Sequence, residues 1–193
     1  EMVRSDWSSD VCSSDLYWLF QHIANMISGF FDLVRCLHFG RANRARDMLA
    51  FMEVLCTAYK CGKVNGVALS ERKLAIGIGV WKPSAHNALH SLMGKGIIEK
   101  SGRGHCRHAD RYDIAIGSDF PKWTRPCTLS SEDVEKLEYI ISHDAFRRRG
   151  MGNHALVVFL YCYMNPDKWV SFDELIDVLE FSERGIKKWV KQL

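Results

Sequence analysis

The sequence predicts a mainly helical protein with one small β-hairpin, arranged as two similar helical units in tandem. Apolar residues recur every three or four positions through most of the chain, which is the spacing of one helix face. Oxygen-bearing side chains precede these segments and glycines often follow them, as expected where helices start and end. Residues 97–114 instead carry the glycines and the alternation of a hairpin. Residues 117–129, which contain two prolines, separate the two units.

Residues 1–16 resemble a sequencing artefact. The string Asp-Trp-Ser-Ser-Asp-Val-Cys-Ser-Ser-Asp-Leu, residues 6–16, is similar residue for residue to the translation of a common sequencing-library adapter in one reading frame. We therefore predict that residues 1–16 are an adapter-derived tail that is not native and belongs to no folded core. The alternative is a natural acidic, serine-rich tail. An adapter origin also implies that neither end of this chain needs to be a native terminus.

Residues 17–40 predict an amphipathic helix. Polar residues interrupt this apolar segment, among them Asp32 and Arg35, and charges at the middle of a bilayer are costly, so we expect no membrane span. The helix should pack either on the first unit or on a second copy of the chain, which would make residues 17–40 a homodimer interface. Its predicted apolar stripe consists of Leu19, Ile23, Met26, Phe30, Val34 and Leu37.

The first unit is assigned to residues 41–116 and begins with a basic entry to a helix. Apolar residues over positions 48–59 mark that helix. Arg41, Arg44 and Arg46 precede it. These arginines would either clamp backbone phosphates, because the guanidinium fork matches phosphate oxygens, or form a solvated helix entry.

Two helices joined by a tight turn come next. Ser70 is suited to cap the first helix, which should end near Gly77. The second helix should begin at Lys82, because Pro83 then lies in the first turn, where its missing N–H costs nothing. Glycines end this helix at Gly94, and the hairpin follows directly.

This order of elements resembles the winged helix-turn-helix DNA-binding domains of bacterial regulators and replication proteins. The resemblance also rests on Val80, on the polar run over residues 81–87 and on the pattern L-x-x-L-x-x-K-G-I-I over residues 89–98. It implies that the second helix of the pair enters the major groove of duplex DNA and that the hairpin is the wing. The DNA-contacting residues it implies for this unit are Lys82, Ser84, His86, Asn87, His90, Arg103, His105, Arg107 and Arg111.

The residue types on this second helix suit base recognition. Asn87 can bond N6 and N7 of adenine as a pair, and Lys82 can reach O6 and N7 of guanine. Trp81 departs from the small polar residue that the pattern favours, so it should pack against a sugar or against the protein itself. The alternative for the whole helix is that it is exposed only because it lies on the outside.

The distribution of charge also favours a phosphate-binding surface. Hydrophobic residues make up 47% of the chain, charged residues make up 25%, and the formal net charge is +3. Lys and Arg outnumber Asp and Glu by fifteen to seven over residues 41–127, whereas the acids lead by eleven to nine over residues 128–193. Such a local excess is expected of a surface that meets DNA, although basic residues also keep small domains soluble.

The second unit, residues 130–193, follows the linker at residues 117–129. Serine caps and apolar spacing predict four helices in it, and the last two begin after Ser171 and Ser182. They resemble a second helix-turn-helix that is truncated before its wing. Its recognition helix would present the basic residues Arg184, Lys187, Lys188 and Lys191. Residues 143–152 also resemble a connector found in primase-associated and in plasmid or phage replication proteins.

Catalytic and metal-binding patterns are absent from the sequence. It contains neither a phosphate-binding glycine loop with lysine nor a nucleophile elbow, so we expect no enzyme and no cofactor. His105, Cys106 and His108 have metal-ligand chemistry, but no second pair of ligands completes a structural zinc site. His86 and His90 lie four apart on one helix, which suits a metal, but they lack the accompanying glutamate of a metalloprotease signature. Seven cysteines without a recurring spacing, and no recognisable secretory signal, predict reduced thiols in a cytoplasmic, nucleoid-associated protein.

The sequence as a whole predicts a mainly α protein with a small β-hairpin wing, made of two winged helix-turn-helix domains in tandem. Its expected function is to read duplex DNA, as a replication or mobile-element protein or as a transcriptional regulator. One alternative is a protein-interaction module, since winged helices also act as docking scaffolds and the second unit is acidic. Another is the non-catalytic C-terminal part of a primase-type replication enzyme.

Overall fold

The computed structural model describes residues 13–37, 39–104, 109–115, 129–147 and 150–193. Its helices are α1 (Ser13–Ser28), α2 (Phe30–Cys36), α3 (Arg44–Cys61), α4 (Glu71–Gly77), α5 (Lys82–Gly94), α6 (Ser131–Ser142), α7 (Gly152–Tyr163), α8 (Phe172–Leu179) and α9 (Glu183–Val190). Its strands are β1 (Val67–Leu69), β2 (Ile98–Gly102) and β3 (Asp110–Ile114). The expectation of a mainly helical chain is therefore confirmed, and the predicted hairpin is part of a three-stranded antiparallel sheet.

The predicted helix over residues 17–40 is two helices. The break falls at Gly29, between α1 and α2, because glycine has a low helix propensity. Helix α1 also begins at Ser13, inside the predicted adapter-derived tail. Extending an existing helix gains about one hydrogen bond per added residue, so a helix can continue into foreign sequence. The remainder of that tail, residues 1–12, lies outside the described residues, and its adapter origin stays a prediction.

The apolar stripe of α1 and α2 packs within the chain. Ile23, Met26, Phe30 and Val34 are buried, α1 contacts α3, and α2 contacts α8. This segment was expected to pack either on the first unit or on a second copy of the chain. Most of its apolar stripe is buried against the chain's own core. A homodimer through residues 17–40 stays a prediction. Across the described ranges, every helix falls short of the length or the apolar character that crossing a membrane requires.

Helix α3 lies at the centre of the fold. Almost every side chain from Arg44 to Tyr59 is buried, which is the pattern of a helix covered on all sides. It contacts α1, α4, α5 and β1 on the N-terminal side of the predicted linker, and α6 and α7 on the other side. The buried hydrophobic residues of both halves form one continuous cluster around it.

A chain of aromatic contacts crosses between the halves. The ring centroids of Phe51 and Phe30 are 5.7 Å apart, those of Phe30 and Phe31 are 5.3 Å apart, and those of Phe31 and Tyr161 are 4.9 Å apart. These four residues come from α3, α2 and α7. The two units predicted from the sequence therefore share a core, while the predicted linker lies outside the described residues except for Leu129.

Arg44 is inside this core, so its proposed role as a phosphate clamp is wrong. Its side chain is 0% exposed, and Nη1 donates hydrogen bonds to the carbonyl oxygen of Phe39 at 3.1 Å and to Oε2 of Glu180 at 2.9 Å. Nε and Nη2 have no hydrogen-bond partner among the residues that the structure describes. Arg46 is also engaged, because it bonds the buried carboxylate of Asp47 at 2.7 Å.

We expect Glu180→Gln to destabilise the protein more than Arg44→Met does. The first change leaves a buried guanidinium without its counter-charge; removing one partner of a fully buried pair costs about 3–5 kcal/mol. Because the Glu180 side chain is 46% exposed, we expect about 2 kcal/mol here. Arg44→Met removes the buried charge and leaves Glu180 in contact with water. Urea denaturation of both variants measures the difference, and an equal or larger loss for Arg44→Met would contradict it.

The sheet joins the segment before α4 to the hairpin after α5. Its strand order is β1–β3–β2, and both pairings are antiparallel. Val67 pairs with Tyr112, Ile98 pairs with Ile114, and the register shifts between Lys100 and Gly102. The hairpin was predicted from the sequence, whereas β1 was not. Strand β1 is three residues long, too short for alternation to reveal it.

Serine caps set the helices of the C-terminal half as predicted. Ser130 and Asp133 form a reciprocal capping box at the start of α6. The hydroxyls of Ser171 and Ser182 accept hydrogen bonds from backbone N–H groups at the starts of α8 and α9. Phe181 is buried in the turn between these two helices. Local capping therefore determines where the two helices of the predicted second pair, α8 and α9, begin.

Candidate nucleic-acid interface

The tight turn between α4 and α5 is set by two glycines. A Cβ atom on Gly77 would lie 2.9 Å from Cδ of the buried Glu53, so a larger residue there would require the Glu53 side chain to move. Gly79 has φ +64°, in the left-handed region that favours glycine. The N–H of Val80 then donates to the carbonyl oxygen of Ala75 at 3.0 Å. This turn directs α5 away from α4.

Helix α5 is buried on one face and exposed on the other. Its inner face consists of Ala85, Ala88, Leu89 and Leu92, which pack into the core with α3 and α4. The outer face carries four of the predicted DNA-contacting residues, and the fifth, Ser84, is partly exposed. The four exposed residues are Lys82, His86, Asn87 and His90.

An acidic residue lies next to this outer face. Glu71, the first residue of α4, has Oε1 2.7 Å from Nδ1 of His86 and Oε2 3.7 Å from Nζ of Lys82. The rings of His86 and His90 are also in contact, with centroids 4.3 Å apart. No sequence signal distinguishes Glu71, because an acid at a helix start is common for its favourable interaction with the helix dipole alone. Its carboxylate partly offsets the charge of Lys82 and can itself accept a hydrogen bond from cytosine N4.

The β2–β3 hairpin adds cations beside the helix pair. Arg103 and Arg111 are both exposed. Asp110 holds the hairpin together: its carboxylate accepts from Lys100 at 2.5 Å and from the N–H of Gly104 at 2.8 Å. Those two bonds, the Lys100 bond above all, lower the pKa of Asp110. The predicted contact residues His105 and Arg107 lie outside the described residues.

Helix α9 carries the second predicted basic face. The three cations of α9 and Lys191, which follows it, are exposed, and Lys187 lies 2.5 Å from the carboxylate of Glu183. On its inner side Ile186 is buried, and the ring of Trp189 stacks on His154 of α7 with centroids 4.6 Å apart. The predicted contact residues on the outer side are Arg184, Lys187, Lys188 and Lys191.

A groove separates the α4–α5 turn from the start of α7, and we call it the turn groove. Its volume is about 690 Å³. It is lined chiefly by Arg72, Ile76, Trp81, Lys82, Arg147 and Asn153. The two walls approach each other closely at Gly79, where a Cβ atom would lie 3.0 Å from Cγ of Arg147. Trp81 lines the groove, and because it is 62% exposed it is not part of the core.

A buried acid lies under the same helix pair. Glu53 of α3 is 5% exposed, and burial, reinforced by the nearby Glu138, raises its pKa to about 7. Lys73 and Lys60 oppose this shift. No sequence signal identified Glu53, because it interrupts an otherwise apolar stretch in the manner of many exposed helix residues. Among the residues described, no group of three or more His, Cys, Asp or Glu side chains is placed to hold a metal ion.

Comparison with known proteins assigns no family to these surfaces. No protein-family model matches the chain, and neither a curated protein nor a solved structure matches it significantly. The function is therefore inferred from the geometry and the chemistry of α5, the hairpin, α9 and the turn groove.

Proposed function

We propose that this chain binds duplex DNA as a winged helix-turn-helix protein, with α5 in the major groove and the β2–β3 hairpin as the wing. The order α3, β1, α4, α5, β2, β3 supports this proposal, because a helix pair followed directly by a hairpin is the order of elements in that class. The sheet order β1–β3–β2 ties the hairpin to the segment that leads into α4, so the helix pair and the hairpin are held on one support.

The observation that carries the proposal is the outer face of α5. It presents an amide, a lysine and two imidazoles at the surface, near the N-terminal end of the second helix, which is where such helices meet base edges. Its inner face is fully packed, so the outer side chains are displayed at a fixed angle. Exposed Arg103 and Arg111 on the hairpin would contact phosphates on either side of the groove.

The α8–α9 pair supplies a second DNA-binding element in this proposal. Its exposed cations would add phosphate contacts and, through Arg184, base contacts. Together the two elements suit a replication or mobile-element protein or a transcriptional regulator of the bacterial nucleoid. A protein-interaction role is the second candidate, and it is favoured by exposed aromatic residues on the acidic half, chiefly Trp169, which is 93% exposed, and Phe172.

A salt titration tests DNA binding. We expect the chain to bind short duplexes selected from a random-sequence pool, with affinity falling about a thousandfold between about 50 and 200 mM salt if six phosphates are contacted. Fluorescence anisotropy measures this dependence. Binding that is indifferent to salt, or an absence of binding at the lowest salt, would contradict the proposal and favour the protein-interaction role.

Two substitutions separate base reading from phosphate contact. Asn87→Ala should cost about 1–3 kcal/mol on the selected sequence and leave binding to unrelated duplexes unchanged. Arg111→Gln should weaken binding to every duplex and reduce the slope of log affinity against log salt by about one. Lys136→Gln is the matched control, since Lys136 is an exposed cation on α6, paired with Glu132, away from the proposed interface.

A further inference from the structure

The turn groove combines three cations with two exposed apolar side chains. Arg72, Lys82 and Arg147 contribute the charge, and Ile76 and Trp81, which are 59% and 62% exposed, contribute the apolar surface. Of the described residues that line the groove, none is acidic. Charge complementarity therefore favours an anionic occupant, and the exposed apolar surface favours one that also has a flat, uncharged part.

The ion pairs made by these cations are weak enough to be exchanged. Nε of Arg147 lies 3.1 Å from the carboxylate of Asp144, whose side chain is largely exposed, and Nζ of Lys82 is 3.7 Å from Glu71. Ion pairs at such exposed positions contribute little to stability and are screened by salt. Nε of Arg147 also donates to the carbonyl oxygen of Ser142 at 3.1 Å. An incoming anion would therefore compete with these carboxylates for the charges of Arg147 and Lys82.

The start of α7 adds a further attraction for negative charge. Gly152 and Asn153, the first two residues of this twelve-residue helix, line the groove. The residue before them, Met151, provides no side-chain cap for the N–H groups of the first turn. The N-terminus of a helix carries partial positive charge and unpaired N–H donors, both of which suit a phosphate. It faces the groove together with Arg147.

We propose that the turn groove binds one unpaired nucleotide. The phosphate lies among Arg72, Arg147 and the first turn of α7, and the base stacks on Trp81 beside Ile76. A base in an intact duplex is stacked on its neighbours and is not available to a groove of this kind, so the nucleotide is either free or belongs to a single strand. The cavity of about 690 Å³ is within the usual range for small-ligand sites.

This inference rests on the proposed DNA binding, because Lys82 and Ser84 at the start of α5 form one wall of the groove. A DNA strand that leaves the duplex beside the major groove would therefore reach the groove directly. The consequence is that the protein should distinguish DNA that contains an unpaired nucleotide from DNA that is fully paired. Exposed single strands occur during the opening of a replication origin, which makes this property useful to a replication protein.

The test compares a fluorescein-labelled single strand with a fully paired duplex of the same sequence, by anisotropy. We expect Trp81→Ala to weaken single-strand binding at least fivefold, because stacking one base on an aromatic side chain contributes that much or more. Arg147→Gln should weaken it severalfold, and Trp81→Phe should retain it. Trp169→Ala and Lys136→Gln are matched controls outside the groove and should bind as the unsubstituted chain does. Equal melting temperatures establish that the variants are folded.

Competition distinguishes the two sources of the nucleotide. Displacement of the single strand by deoxyadenosine monophosphate, but not by inorganic phosphate at the same concentration, supports a groove that also takes a free nucleotide. Failure of both to displace the strand, with the Trp81→Ala effect present, supports a nucleotide within a strand. If inorganic phosphate displaced the strand as well as deoxyadenosine monophosphate does, the role of the base would be overturned.

The failures of the two proposals differ in this experiment. Unsubstituted protein that binds the duplex but not the single strand, or single-strand binding that Trp81→Ala and Arg147→Gln leave unchanged, overturns the nucleotide site while duplex binding stands. Single-strand binding that is lost in Trp81→Ala, without any duplex binding at low salt, supports the nucleotide site and overturns the proposed duplex function.

Discussion

Replacing Phe51 by alanine is expected to lower the free energy of unfolding by about 3–5 kcal/mol, the usual cost of removing a large aromatic side chain from a packed core. Phe51 is fully buried in α3 and begins the chain of ring contacts that reaches Tyr161 of α7. Because the halves share this core, the variant should still unfold in one transition, at a lower denaturant concentration. Urea denaturation followed by circular dichroism and by tryptophan fluorescence measures both properties.

Trp169→Ala is the control for this experiment. Trp169 is 93% exposed, so its removal should change the free energy of unfolding by less than about 0.5 kcal/mol. Two separate transitions in the Phe51→Ala variant, with one half retaining its original midpoint, would show that the halves are independent domains and that the shared core contributes little to their coupling.

Glu53→Gln is expected to stabilise the protein by about 3 kcal/mol at pH 8 and by only about 1 kcal/mol at pH 5. Burial and Glu138 raise the pKa of Glu53 to about 7 in the folded chain, whereas an unfolded glutamate titrates near 4.3. The folded state therefore holds a proton that the unfolded state releases between these values. The contribution of this proton to the free energy of unfolding is fully present below about pH 4.3 and is lost as the pH rises toward 7.

Chemical denaturation at pH 5 and pH 8 measures this difference. The amide of glutamine has a similar shape and carries no charge, so the variant should lose the part of the pH dependence that Glu53 causes. Glu99→Gln, at an exposed position on β2, is the control and should leave the pH profile as it is. A stabilisation of the same size at both pH values would mean that the ionisation of Glu53 is not its cause.

Local chemistry explains which parts of the fold were predictable. Helix α5 begins at Lys82 and ends at Gly94 as expected, because a proline in the first turn and a glycine at the end are signals carried by a few neighbouring residues. The serine caps of α8 and α9 were predictable for the same reason. The break at Gly29 was missed because the apolar stripe continues across it, and packing on α3 and α8 sets where each helix lies.

Long-range pairing explains which features could not be predicted from the sequence. Arg44 resembled a surface cation, but its partner Glu180 is 136 residues away and only the fold brings them together. Glu53 and Gly77 acquire their roles from each other's proximity, which no spacing reveals. The turn groove likewise joins Trp81 to Arg147. The exposed residues of α5 were predictable because the helical period alone determines which face they lie on. The proximity of Glu71 to that face was not, because it depends on the geometry of the turn between α4 and α5.

The shared core has a consequence for the kind of DNA site this protein could recognise. Helix α5 packs on α3, and α9 packs on α7, which itself contacts α3, so the two proposed DNA-binding helices are fixed to one support. On the proposed function, two recognised DNA elements would then have to occur at one spacing and on one side of the double helix. About five extra base pairs between them, half a helical turn, would rotate one element out of reach.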